Sequence, residues 1–172
     1  MAKYPSDESA ARTEALVREP EAQTDRGVAI VGVAWVEEAL TAAIESFLVK
    51  DKTAWTRLFH KSGPLSSLAS KIDLSRLLDM TSRAVASDLH ILREVRNEFA
   101  HAILDRNNAA ISFTTPHVKD RCLALRTVAH EKHRDPKAAF IRACAVLNAD
   151  FESIRFMGQT VAHGGQVHAS GE

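Results

Sequence analysis

Apolar residues recur at spacings of three and four along most of the chain, which is typical of amphipathic helices. The first stripe begins after a cap residue at Thr24 or Asp25. Its apolar positions are Val33, Val36, Leu40, Ile44 and Phe47. Val28, Ile30 and Val31 add apolar surface to the first turns on more than one side. The pattern therefore predicts a long helix at the centre of the fold.

Short signals divide the rest of the chain into further helices. Gly63-Pro64 predicts the end of one helix and the start of the next. Thr115-Pro116 and Asp135-Pro136 each combine a cap residue with a first-turn proline. Residues 110–114 alternate briefly and predict at most one short extended segment. Together these signals predict an all-α bundle of roughly five to seven helices.

One helical domain suits a chain of 172 residues. We expect it to span residues 24–157. Residues 1–23 are polar and of mixed charge, and they predict a flexible N-terminal arm. Residues 158–172 are rich in glycine, histidine and small residues, which predicts a flexible C-terminal tail.

The clearest long helix is predicted from about Thr81 to Leu104. Apolar residues recur there every seven positions, at Leu78, Val85, Leu92 and Phe99. With Phe99 at the centre of the buried face and about 100° per residue, Asn97 and His101 lie on the opposite side. They share that polar face with His90, Arg93 and Glu94. Arg96 lies at its margin, about 60° from the buried centre.

The charge balance limits the classes of partner. Lys plus Arg and Asp plus Glu each number 22, so the formal net charge is zero. This argues against strong non-specific binding to a nucleic-acid backbone, although it is compatible with a small local RNA site. The best candidate for a DNA-reading helix pair runs from Leu58 to Leu78. Its second half carries only Lys71 and Arg76 as cations, which is poor support for DNA binding.

Two cysteines, Cys122 and Cys144, stand at helical spacing among apolar residues. They predict buried thiols in a reducing compartment. His130 and His133 are three residues apart, but a metal needs at least one further well-placed ligand. The sequence also has no glycine-rich phosphate loop and no zinc-binding cysteine spacing. We therefore expect no metal and no cofactor.

Two features of the sequence bear on localisation. The N-terminus lacks the apolar core of a signal peptide. Charged residues also interrupt the longest apolar stretches before they reach membrane-spanning length. We therefore expect a cytoplasmic protein that does not bind a membrane.

The chain resembles the mannitol operon repressor (MltR) family over about residues 24–150. The resemblance rests on Asp25-Arg26-Gly27, on the segment GPLSSLASKI at residues 63–72 and on the block REVRNEFAH at residues 93–101. It implies an all-helical transcriptional regulator of sugar uptake. Because no basic recognition helix is visible, we expect such a regulator to act mainly by binding a protein partner. We also expect a homodimer.

Arg96-Asn97 followed by His101 is also similar to the motif of HEPN-type helical ribonucleases. This second resemblance implies a metal-independent endoribonuclease in which His101 moves a proton, Arg96 stabilises phosphate charge and Asn97 orients the site. Arg96 and His101 are about 140° apart around a regular helix, so a one-chain site is not expected. A dimer could bring Arg96 of each chain to His101 of the other. A purely structural role for these three residues also stays open, because any solvated helix carries a polar face.

Overall fold

The computed structural model describes residues 24–60, 62–101, 110–131 and 135–164, the last six by backbone only. The helices in this part of the chain are α1 (Asp25–Ser46), α2 (Lys52–Phe59), α3 (Leu68–Leu77), α4 (Arg83–His101), α5 (Pro116–Leu123) and α6 (Pro136–Gly164). A short 3₁₀ turn spans Ala129–Glu131. The described residues form no β-strand, and Ala110 makes an isolated bridge before a turn at residues 113–114. The predicted all-α bundle is therefore confirmed.

Helix α1 is the central helix, packing along α6 and touching α4 and α3. Four of its five predicted stripe residues are almost fully buried, namely Val33, Val36, Leu40 and Ile44. A Cβ atom at Gly32 would lie 3.3 Å from the Cys144 sulfur, so the two long helices approach closely there. The prediction was wrong for Phe47, which is 46% exposed because it caps the end of the helix.

The start of α1 is tied to the rest of the bundle. The Thr24 hydroxyl oxygen accepts a hydrogen bond from the Gly27 N–H group at 3.2 Å. The Asp25 carboxylate accepts one from the Phe113 N–H group and forms an ion pair of 3.0 Å with Lys137 of α6. By length and composition alone α1 could cross a membrane, and half of its most apolar 18-residue stretch is buried inside the bundle. A core helix meets the same criterion.

Aromatic rings join three elements at the centre of the core. Phe99 of α4 lies 5.0 Å from Phe113 between ring centroids, and Phe113 lies 5.1 Å from Phe140 of α6. All three side chains are at most 2% exposed. The packing fixes α4, the segment before α5 and α6 against one another, which holds the polar face of α4 in place.

Helix α2 and the loop after it are peripheral. No residue of α2 is buried, and Trp55 stacks on Phe59 at 3.8 Å between centroids. The loop folds back, with the Leu65 N–H group donating to the Leu58 carbonyl oxygen. Helix α3 therefore begins at Leu68, where Ser67 supplies the cap, and not at Pro64 as predicted.

The last two helices begin where the sequence predicts. Helix α5 starts at Pro116, but the Thr115 side chain makes no capping hydrogen bond to the helix, and its hydroxyl oxygen instead accepts from the Ser112 N–H group at 3.0 Å. Asp135 accepts from the Lys137 N–H group at the start of α6. This helix continues to Gly164, past residue 157, where we expected the helical domain to end. The predicted arm at 1–23 and residues 165–172 lie outside the described residues.

Both cysteines are buried free thiols, as predicted. Burial raises the pKa of Cys122 to about 12, and it also raises the pKa of Cys144. Since the thiolate is the reactive form, we expect neither thiol to react with Ellman's reagent at pH 8 while the protein is folded. Both should react once denaturant unfolds the chain. Rapid labelling of the native protein would contradict this placement.

Candidate functional site

Helix α4 divides into a buried seam and a polar face, as its sequence predicts. Leu92, Val95 and Phe99 are at most 1% exposed. His101 at the end of the helix is exposed, and Arg96 and Asn97 are partly buried. The seam fixes the rotation of α4, so the direction in which each polar residue leaves the helix is set by the core.

Helix α5 covers one side of this polar face through two side-chain pairs, each between a glutamate of α4 and a basic residue of α5. Glu94 lies 3.3 Å from the Arg121 guanidinium, measured from Oε2 to Nε. Glu98 Oε1 lies 3.1 Å from Nε2 of His117. All four side chains are about a third to a half exposed, so each pair stabilises the fold by only about 0.2–1 kcal/mol. They link the two helices across the exposed edge of the polar face.

A groove with a volume of about 380 Å³ lies between these helices. We call it the α4–α5 groove, and its lining residues are Glu94, Asn97, Glu98, His101 and Arg121. Among the described residues, neither Asn97 nor His101 has a hydrogen-bond partner, so the polar atoms of both are available to another molecule. The groove therefore combines fixed charges with two uncommitted polar side chains.

Arg96 does not line this groove. It leaves α4 about 140° from His101, and its Nε atom is buried without a hydrogen-bond partner. The structure thus brings Asn97 and His101 together but does not bring Arg96 to them. An Arg–His pair of the ribonuclease type would need a second chain, and that hypothesis stays a prediction.

No group of three potential metal ligands occurs among the described residues. His130 lies 3.7 Å from Glu131, which also pairs with Arg142 of α6 at 2.9 Å. These contacts connect the 3₁₀ turn to α6. His133, the second histidine considered as a metal ligand, lies outside the described residues.

The sequence analysis missed Asp88, a fully buried carboxylate on α4. Its two oxygens accept hydrogen bonds from the Arg126 N–H group at 3.1 Å and the Thr127 N–H group at 2.7 Å. The Thr127 hydroxyl donates a third at 2.5 Å. Asp88 therefore holds the turn after α5 against α4. A signal was present, because Asp88 falls about 20° from the centre of the buried face on the helical wheel.

The sequence also gave no indication that Arg121 and Glu98 would join the site. Both were part of ordinary amphipathic patterns. Their contribution depends on the angle at which α5 packs against α4, which is set by side chains far apart in the sequence. No local pattern encodes that angle.

The fold has a solved counterpart, although comparisons of sequence find none. No protein-family profile and no curated protein matches the chain. A chain in the X-ray structure of the MtlR–HPr complex from Escherichia coli matches the fold with a TM-score of 0.65 and 18% sequence identity. The match covers 82% of this chain and 98% of that chain. The protein therefore has an MtlR-like fold, and at this identity the likeness shows the fold alone.

Proposed function

We propose that this protein is a cytoplasmic regulator of sugar uptake that acts by binding another protein. The observation that carries the proposal is the fold match, because it spans 98% of a chain solved as part of a protein–protein complex. The resemblance of residues 63–72 and 93–101 to the mannitol operon repressor family points the same way. Control of transcription is the finer form of this proposal and rests on that family resemblance.

The proposed partner is a protein of the HPr type, since HPr is the second protein named in the matched complex. The zero net charge of the chain and the scarcity of cations in its best candidate DNA-reading segment support a protein partner over nucleic acid. In this account the regulator changes sugar uptake by engaging its partner, and it needs no chemical step of its own.

The α4–α5 groove is the proposed contact surface. It lies between two helices that two side-chain pairs link, and Asn97 and His101 offer unpaired polar atoms. Groups that are fixed before binding lose less conformational entropy when the complex forms. The groove is therefore suited to a specific contact with a folded partner.

Calorimetric titration with HPr of the same organism tests this proposal. We expect wild-type protein to bind. The double variant Asn97→Ala/His101→Ala should bind at least about tenfold more weakly, a loss of about 1.4 kcal/mol, because it removes the two uncommitted polar groups of the groove. The matched control Lys50→Ala/Arg57→Ala changes two exposed residues near or on α2 and should bind as the wild type does.

Two outcomes would contradict the proposal. The first is the absence of binding by wild-type protein that is fully folded by circular dichroism. The second is metal-independent cleavage of single-stranded RNA in EDTA that is lost in His101→Ala, which would favour the ribonuclease hypothesis and its dimer. Unchanged binding by the groove variant would show that HPr binds elsewhere on the surface. Equal weakening by the groove and control variants would show that the effect is not specific to the groove. Either result contradicts the groove as the contact surface.

A further inference from the structure

In the second half of α4, the acidic side chains have partners on neighbouring elements and the arginines have none in the described ranges. The carboxylates of Glu94 and Glu98 pair with side chains of α5. The Asp88 carboxylate accepts hydrogen bonds from the turn after α5. The two arginines of the same stretch, Arg93 and Arg96, have no carboxylate partner among the described residues. Within the part of the chain that the structure describes, this stretch of the helix therefore keeps two positive charges without a neutralising carboxylate.

Both arginines are partly desolvated. Each side chain is partly buried, and the Nε atom of each is buried without a hydrogen-bond partner. Removing a charged group from water without a partner is unfavourable, and a nearby negative charge offsets that cost. A partly buried side chain has fewer accessible rotamers than an exposed one, so less entropy is lost when an anion binds.

The two side chains are placed to act together. Residues three apart on a helix differ by about 60° in direction and about 4.5 Å along the axis, and so lie on neighbouring turns. His90 lies about 60° and Asn97 about 40° from Arg93 around the helix, on the side away from Arg96, so that Arg93 stands between them and Arg96. We call this set, His90, Arg93, Arg96 and Asn97, the α4 arginine patch. It contains no acidic residue, and it shares only Asn97 with the α4–α5 groove.

We propose that the α4 arginine patch binds a carboxylate-rich segment of another protein. The planar guanidinium groups match carboxylates in geometry, and each can donate two parallel hydrogen bonds from its outer nitrogens. The patch is about 10 Å long and carries two fixed charges, which is the scale of one or two acidic side chains. An RNA backbone needs many phosphate contacts for affinity, and a chain of zero net charge does not supply them.

This inference stands on the geometry of α4 and does not depend on the partner proposed above. Its test uses a fluorescein-labelled peptide of about ten glutamates, with binding followed by fluorescence anisotropy in about 50 mM salt, where screening is weak. Wild-type protein binds the peptide, and Arg93→Gln/Arg96→Gln weakens binding by at least about tenfold. The variant Arg93→Lys/Arg96→Lys keeps the charge and loses the planar fork, so its affinity falls between the two.

The matched control is Arg57→Gln/Arg126→Gln, which removes the same charge from two exposed side chains elsewhere. It binds the peptide as the wild type does. Three results would overturn the inference: no binding by folded wild-type protein, equal weakening by the patch and control variants, or tighter binding of a ten-nucleotide uridine RNA than of the peptide. Each of these results leaves the calorimetric titration with HPr unaffected, so the two proposals fail separately.

Discussion

Replacing Asp88 with alanine is expected to lower the free energy of unfolding by about 2–4 kcal/mol. The Asp88 side chain is 0% exposed and accepts from two backbone N–H groups and one hydroxyl. Alanine removes every acceptor and leaves the N–H groups of Arg126 and Thr127 without a partner. A domain is stable by only about 5–15 kcal/mol, so this loss is a large share of the total.

Urea unfolding followed by circular dichroism measures the effect. Asp88→Asn should cost less than Asp88→Ala, because the Arg126 and Thr127 N–H groups use different oxygens and the amide still offers one. Asp73→Ala is the matched control, since Asp73 is an exposed carboxylate on α3 and should change stability by less than about 0.5 kcal/mol. Equal midpoints for the Asp88→Ala and Asp73→Ala variants would contradict the structural role of Asp88.

Replacing Phe140 with alanine is expected to cost about 3–5 kcal/mol. Its ring is 0% exposed, packs on Phe113 and lies 3.6 Å from the position that a Cβ atom at Gly32 would take. Truncation therefore opens a cavity where α1, α6 and the segment before α5 meet. Close packing of the two long helices limits how far the surroundings can collapse into it.

The same urea experiment tests this second loss. Phe140→Leu should cost clearly less, because leucine refills much of the cavity. Leu77→Ala serves as the apolar control, because Leu77 is 84% exposed and its removal uncovers no cavity. A Phe140→Ala variant as stable as the Leu77→Ala control would contradict the placement of Phe140 in the core.

Features that depend on local sequence were predictable. The periodicity of α1 identified Val33, Val36, Leu40 and Ile44 as buried, and Asp135-Pro136 identified the start of α6. Both follow from the geometry of one helix. Phe47 and Pro64 were misassigned for a shared reason. The pattern continues past the true end of α1 and before the true start of α3, where backbone hydrogen bonds of the loops decide the boundary.

Features that depend on how helices meet were not predictable. Helical geometry predicted Asn97 and His101 on one face of α4 and Arg96 at its edge. In the structure Asn97 and His101 line the α4–α5 groove and Arg96 does not. Helical geometry could not place Arg121 beside Glu94 or show that Glu98 would pair with His117, because those contacts come from another helix. The same packing decides which charges of α4 have a partner on α5, and among the described residues it leaves Arg93 and Arg96 without a carboxylate partner.

The proposed function requires that an HPr-type protein binds in the α4–α5 groove. Backbone amide shifts of the ¹⁵N-labelled protein, followed as unlabelled HPr is added, test it most directly. The account predicts saturable shifts that cluster on α4 from Glu94 to His101 and on α5 around Arg121. A spectrum unchanged by excess HPr, or shifts confined to other helices, would contradict it.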